Sequence, residues 1–266
     1  EGGQIAVASS TRQALSAATA ALEPKLSAAD LTFAAELFAV SSALATSKQL
    51  RNLLSDPSAE AGAKAGAVAA VFKESVSNSV VEFVIELSGM RWSRAADLSA
   101  AFEQLAVHAV AAIAARSNKL ELLETELYEF RAAVDSDSDL QLALGARHIS
   151  DDIRVALAEK LVSGRYSPEG ALLVRQAVIA ARRRRVSVVV ESFGKQVSAF
   201  ATRLVATVTV ASEISEAQLQ RLEAILAKSY GQSLKLNVEV DPGILGGVRV
   251  QVAGEIIDGS LERRLS

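Results

Sequence analysis

Up to about Arg203 the apolar residues of this chain recur at helical spacing. Between Glu36 and Leu44, Leu37, Val40 and Leu44 mark the i, i+3, i+7 stripe of an amphipathic helix. Ser55-Asp56-Pro57 breaks the pattern, since Pro cannot continue a helix and Asp and Ser favour turns. A second helix is predicted from about Ala59 to Phe72. A third starts near Ser77 and puts Val80, Val84 and Leu87 on one face. Farther along, Ser167-Pro168-Glu169 opens another helix with a capping serine, a proline at the first position and a carboxylate at the positive end of the dipole.

These patterns repeat at a displacement of 90 residues. Glu36-Leu37-Phe38 returns as Glu126-Leu127-Tyr128. Leu50 meets Leu140, Leu54 meets Leu144, Ser77 meets Ser167 and Val84 meets Val174, while Lys64 matches Arg154. After one inserted residue, Leu98 and Phe102 align with Val189 and Phe193. Two stretches obeying one apolar period would match Leu on Leu by chance. The repeated Glu-Leu-aromatic triplet and the near-absence of gaps instead point to duplication. The expected organisation is a helical bundle at 9–105, a second copy at 106–202 with room for helices shared between the two, and a different domain at 203–266.

That last segment changes period. Residues 204–210 are rich in β-branched side chains, and Ser215-Glu216 opens a helix through Leu219, Leu222 and Leu226 that Gly231 ends. Leu234, Leu236, Val238 and Val240 then alternate with polar residues, as do Val248, Val250 and Val252. Both are strand patterns, and Ala253-Gly254 is a plausible turn into 255–258. The predicted class is mainly α, a duplicated helical bundle followed by a small α+β domain.

Composition narrows the chemistry. The chain has 266 residues, 50% hydrophobic and 22% charged, with no cysteine. A disulfide framework, a thiolate nucleophile and a cysteine zinc site are thereby excluded. Two histidines, His108 and His148, leave little for a metal or acid–base centre, and a net charge of −3 exerts no global pull on nucleic acid. The most apolar helical stretch, about Leu105 to Ala115, falls below the ~20 residues a membrane span requires. No catalytic residue, cofactor or metal is expected: phosphate loops and nucleophile elbows are missing from the sequence, and Asp135-Ser136-Asp137-Ser138-Asp139 lacks the Gly and Glu of a calcium loop. Arg182 to Arg185 would point all round a helix with no interleaved aromatics, so a solvated helix end or a surface for an acidic partner is expected there before nucleic acid.

Asp241-Pro242, Leu245-Gly246-Gly247-Val248-Arg249-Val250-Gln251-Val252 and Ile257-Asp258-Gly259-Ser260 resemble the C-terminal signature of the δ subunits of bacterial F-type ATP synthases, whose mitochondrial counterpart is the oligomycin-sensitivity-conferring protein. Within it, Gly246, Gly247, Arg249, Asp258 and Gly259 form the structural motif. Arg91-Trp92-Ser93 and the second bundle are similar to the long δ subunits of actinobacteria. The resemblance implies a non-catalytic peripheral-stalk subunit, one copy per complex. It would lie at the cytoplasmic face of the plasma membrane without inserting, and would link N-terminal helices of the α subunits to a b-type stalk. Leu15, Ala18, Leu22, Val80, Val84 and Leu87, with Leu172, Val174 and Val178 as the second-copy alternative, are the expected α contacts. Val250, Ile256, Ile257 and Leu261 are the expected stalk contacts. A free-standing helical-repeat scaffold for an unrelated amphipathic peptide is the other reading.

Overall fold

Helix boundaries fall where local chemistry asks for them. The computed structural model describes residues 2–146, 148–181, 184–203, 205–212, 214–230, 234–241, 243, 248–252 and 255–258. Helix α1 spans Gly2–Leu26 and α2 spans Leu31–Thr46, opened by Asp30, whose carboxylate accepts from Phe33 N at 2.9 Å. The predicted helix through Leu44 does not run on to Asp56. Ser47 closes α2 and its hydroxyl caps α3 (Lys48–Ser55), accepting from Leu50 N at 3.2 Å. Helices α4 (Ala61–Phe72), α5 (Asn78–Ser88) and α6 (Ala95–Arg116) follow. Next come α7 (Leu120–Ser136), α8 (Ser138–Gly145), α9 (Asp151–Val162), α10 (Pro168–Ala180) and α11 (Val186–Arg203). Asp137, in the stretch that lacks the ligands of a calcium loop, is the cap of α8 and accepts from Asp139 N and Leu140 N.

The elements recur with the sequence displacement: α2 with α7, α3 with α8, α4 with α9 and α5 with α10. Glu1–Val197 nevertheless forms one unit, and Ser198–Ser266 a second. Helix α6 shows why the first is not two. It follows α5 and precedes α7, and it packs against α1, α2 and α3 as well as α7 and α10. Leu98, Phe102, Ala106, Val107, Ala109, Val110, Ala111 and Ala114 are all fully buried. The many alanines let neighbouring backbones approach closely, and dispersion then acts over long contact lines. At 22 residues α6 is twice as long as the apolar stretch read from the sequence, long and apolar enough to cross a membrane by length and composition. Here 67% of its apolar window is covered by the chain itself. Asn118, at φ 53°, ends the helix in the left-handed conformation, and Lys119 N donates back to Ala114 O at 2.8 Å. Just before the turn, the Arg116 guanidinium holds the carbonyls of Leu26, Ser27 and Ala29, tying the end of α1 to the end of α6.

Phe83 of α5 meets Phe102 of α6 edge-on, centroids 6.2 Å apart. Phe38 of α2 meets Phe193 of α11 at 5.9 Å, so an aromatic from the first copy is completed by the last helix of the second. Buried cations close helix ends: Lys64 Nζ donates to Ser88 O at 2.6 Å, and Arg154, at the equivalent position, donates to Leu144 O at 3.0 Å and pairs with Asp151. Burial pushes the Lys64 ammonium below its ordinary value, with Asp56 opposing that shift.

In the second unit, β1 (Val205–Val210), α12 (Glu216–Tyr230) and β2 (Lys235–Val240) form a parallel βαβ crossover. β3 (Val248–Val252) and β4 (Glu255–Asp258) add antiparallel strands, giving the order β2-β1-β3-β4. Ala206, Val208 and Val210 lie opposite Leu236, Val238 and Val240 on one side, and opposite Val252, Val250 and Val248 on the other. Leu222 and Leu226 of α12 cover that apolar face. The class is mainly α with a small α+β C-terminal domain.

Candidate functional site

The Glu-Leu-aromatic triplet that betrays the repeat has a structural task. Glu36 Oε2 accepts from Ser77 Oγ at 2.6 Å, where Ser77 precedes α5. Glu126 does the same for Ser167 before α10, accepting from its Oγ at 2.6 Å and from its backbone N at 2.5 Å. Ser167 Oγ in turn accepts from Gly170 N at 3.0 Å. In each copy a carboxylate from one helix fixes the positive end of another, some 40 residues later in sequence, and sets the angle between them. The two corners differ in burial: Glu126 is 3% exposed, whereas Ser77 is on the surface.

The side chains expected to meet α subunits sit on the helices these corners orient. Ala18, Leu22, Val80, Val84, Leu87, Val174 and Val178 are each fully buried within the chain's own core, while Leu15 of α1 and Leu172 of α10 remain half-buried. An apolar period marks a face that something covers. It does not say whether the cover is the same chain or another, and for these seven it is the same chain. In the tail, Val250 is 5% exposed and pairs in register with Ile257. The side chains of Ile256, Ile257 and Asp258, and the residues Gly246, Gly247, Gly259 and Leu261, lie outside the described residues. Arg249 pairs with Thr209 and Asp258 across β1 and β4, at the centre of the sheet.

Arg91-Trp92-Ser93 is a fastener that sequence patterning alone did not assign. Trp92 is buried and its Nε1 donates to Leu87 O at 2.9 Å, closing α5. Ser93 N donates to Thr11 Oγ1 at 3.0 Å, and Thr11 Oγ1 donates to Asp97 Oδ2 at 2.8 Å, joining α1 to the start of α6. Burial works to raise the Asp97 carboxyl, but hydrogen bonds from Thr11 and Arg94 outweigh it and hold the group below the ordinary value of 3.8. A depressed carboxyl contributes stability that is complete above the ordinary value and is lost as pH falls through the folded one. The urea midpoint of the chain should therefore drop as pH falls below the ordinary carboxylate range, and Asp97→Asn should flatten that limb. Identical acid limbs for parent and variant would count against the assignment.

Tertiary packing also resolves the remaining singular residues. His108 Nε2 lies 3.1 Å from Glu23 Oε1, a carboxylate that no short-range spacing could reveal. His148 is exposed in a turn. Among the described residues no group of three or more His, Cys, Asp or Glu could hold a metal ion. Arg184 and Arg185 lie in the link between α10 and α11, not along a helix as the sequence suggested, and Arg184 pairs with Glu103 of α6 at 3.2 Å. Arg182 and Arg183 lie outside the described residues.

The family model described as ATP synthase delta (OSCP) subunit matches residues 106–266, beginning within α6. The ATP synthase subunit delta of Arthrobacter sp. (strain FB24) is 38% identical over 261 residues, covering 95% of this chain and 94% of that protein. The subunit of the same name from Leifsonia xyli subsp. xyli is 40% identical over 258 residues, covering 97% and 96%. That of Streptomyces coelicolor is 36% identical over 258 residues, covering 96% and 94%. The likeness to these relatives spans both helical copies and the tail. The chain belongs to the ATP synthase delta (OSCP) subunit family. It is a non-catalytic peripheral-stalk subunit of the F-type ATP synthase, a membrane-associated complex.

Proposed function

We propose that the helical unit grips N-terminal helices of α subunits on the catalytic head while the α+β tail holds the end of a b-type stalk. One copy would serve each complex, at the cytoplasmic face of the plasma membrane. The observation that carries the reading is the whole-length likeness to named delta subunits, joined to a helical unit whose two corners are each fixed by a glutamate–serine contact. Rotary catalysis applies torque to the head, so a stator must resist it through contacts that dissociate slowly. Amphipathic helices laid along grooves between bundle helices provide such contacts. In this reading Leu15 and Leu172 reach the docked helices directly, and the buried set from Ala18 to Val178 forms the rigid floor beneath them. Val250 and the adjoining β4 strand back the stalk contact. We further propose that 9–105 and 106–202 arose by duplication, with α6 serving both copies.

Affinity purification of the tagged chain from membranes, followed by mass analysis of the intact complex, tests the assignment. Recovery with α, β and b at one copy per complex is the expected result. Recovery of a free monomer, with those subunits left in a complex lacking this chain, would sink it.

A further inference from the structure

The repeat allows one corner of the molecule to be read against the other. In the second copy Lys119 Nζ stands 3.9 Å from Glu169 Oε1, and Glu169 is 5% exposed beside the Glu126–Ser167 cap. At the same displacement the first copy has Ala29 for Lys119 and Ser79 for Glu169, while Glu36 and Ser77 keep the counterparts of Glu126 and Ser167. The two shortened side chains coincide with an open cleft of about 430 Å³, lined by Lys25, Asp30, Thr32, Glu36, Ser77 and Ser79. The cleft has two carboxylates and one ammonium, and the Lys25 ammonium also lies 5.7 Å from the centre of the Phe83 ring. Glu36 accepts from Ser77 and Asp30 from Phe33 N, but a carboxylate has about four acceptor positions, so both retain capacity facing a cleft of net negative charge.

We propose that this cleft receives an Arg or Lys side chain of the docked partner segment, standing where Lys119 stands in the second copy. The second corner is closed by its own ion pair, and the first is completed by another chain. The identity of that chain rests on the function proposed above, whereas the recognition chemistry does not. A guanidinium suits such a setting, since its planar fork presents several donors to carboxylate acceptors while its stem can lie on apolar surface.

Titration of the isotope-labelled full chain with N-acetyl-arginine amide tests the chemistry without any other subunit. Amide shifts confined to residues around Asp30, Thr32, Glu36, Ser77 and Ser79, saturating in the millimolar range, are expected. The neutral citrulline analogue should leave them unmoved. Ala29→Lys with Ser79→Glu rebuilds the closed corner and should weaken the response about tenfold or more, while its urea midpoint stays at or above that of the parent. Glu36→Gln, which keeps the bond to Ser77 and removes the charge, provides a second variant and should weaken it several-fold. Absence of arginine-specific shifts in the parent, or equal shifts in the parent and both variants, would overturn the proposal. Failure of the parent to join the catalytic head would instead remove the stator reading and leave the arginine result standing on its own.

Discussion

Replacing Gly170 by alanine is expected to destabilise the helical unit by about 3 kcal/mol, a large effect for adding one methyl group. A Cβ at that position would collide with the Glu126 carboxylate, with Ser167 Oγ a further close neighbour. The end of a glutamate side chain usually swings aside at small cost. Here it is held by Ser167 N and Oγ in a site that is almost fully buried, so moving it breaks two short hydrogen bonds and strands a charge. Glu126→Ala should itself cost about 2 kcal/mol by leaving the Ser167 N–H without its acceptor. Once the carboxylate is gone the added methyl has room, so the double variant should be no less stable than Glu126→Ala alone. Urea unfolding of the four proteins checks this, and strictly additive costs would show that Gly170 and Glu126 do not interact.

The second large effect concerns the union of the two copies. Phe193→Ala should cost about 4 kcal/mol, because the ring is fully buried and its removal leaves a cavity that surrounding helices refill only in part. Phe193 belongs to the second copy by sequence, yet its ring partner is Phe38 of the first. Hydrogen exchange should therefore accelerate in α2 as well as in α10 and α11. Loss of protection restricted to the second copy would contradict this coupling. Tyr128 provides the contrast. It is the repeat counterpart of Phe38 but is 72% exposed, and its replacement by alanine should change stability by no more than about 0.5 kcal/mol.

That pair illustrates what a repeat in sequence can and cannot convey. Phe38 and Tyr128 occupy the same place in the triplet and the same face of equivalent helices, so sequence alone treats them alike. Their fates diverge because the chain is not two separate bundles. Helix α6 serves both, and α11 reaches across to the first copy. The expected α-subunit contacts meet the same limit: the 3.6-residue period located Val80, Val84 and Leu87 on one face, and packing then turned that face inward.

Sequence by itself determined the helix-to-strand change near Arg203, the alternation that builds the sheet, the capping serine of α10 and the correspondence of Glu36 with Glu126 and of Ser77 with Ser167 across the repeat; that each glutamate reaches its serine was decided by the tertiary structure. The sequence-determined features are local or periodic: a cap, a pleat and a helical face depend on neighbours a few residues away, and the repeat on a fixed displacement along the chain. Only the tertiary structure decided that Ser47 splits the first predicted helix, that α6 extends to 22 residues under cover, that His108 meets Glu23 and that one corner of the repeat is closed by Lys119 and Glu169 while the other stands open. Each of those outcomes depends on side chains tens of residues apart competing for the same volume. The physical reason is that burial is a property of the assembled core, whereas period and capping belong to the chain.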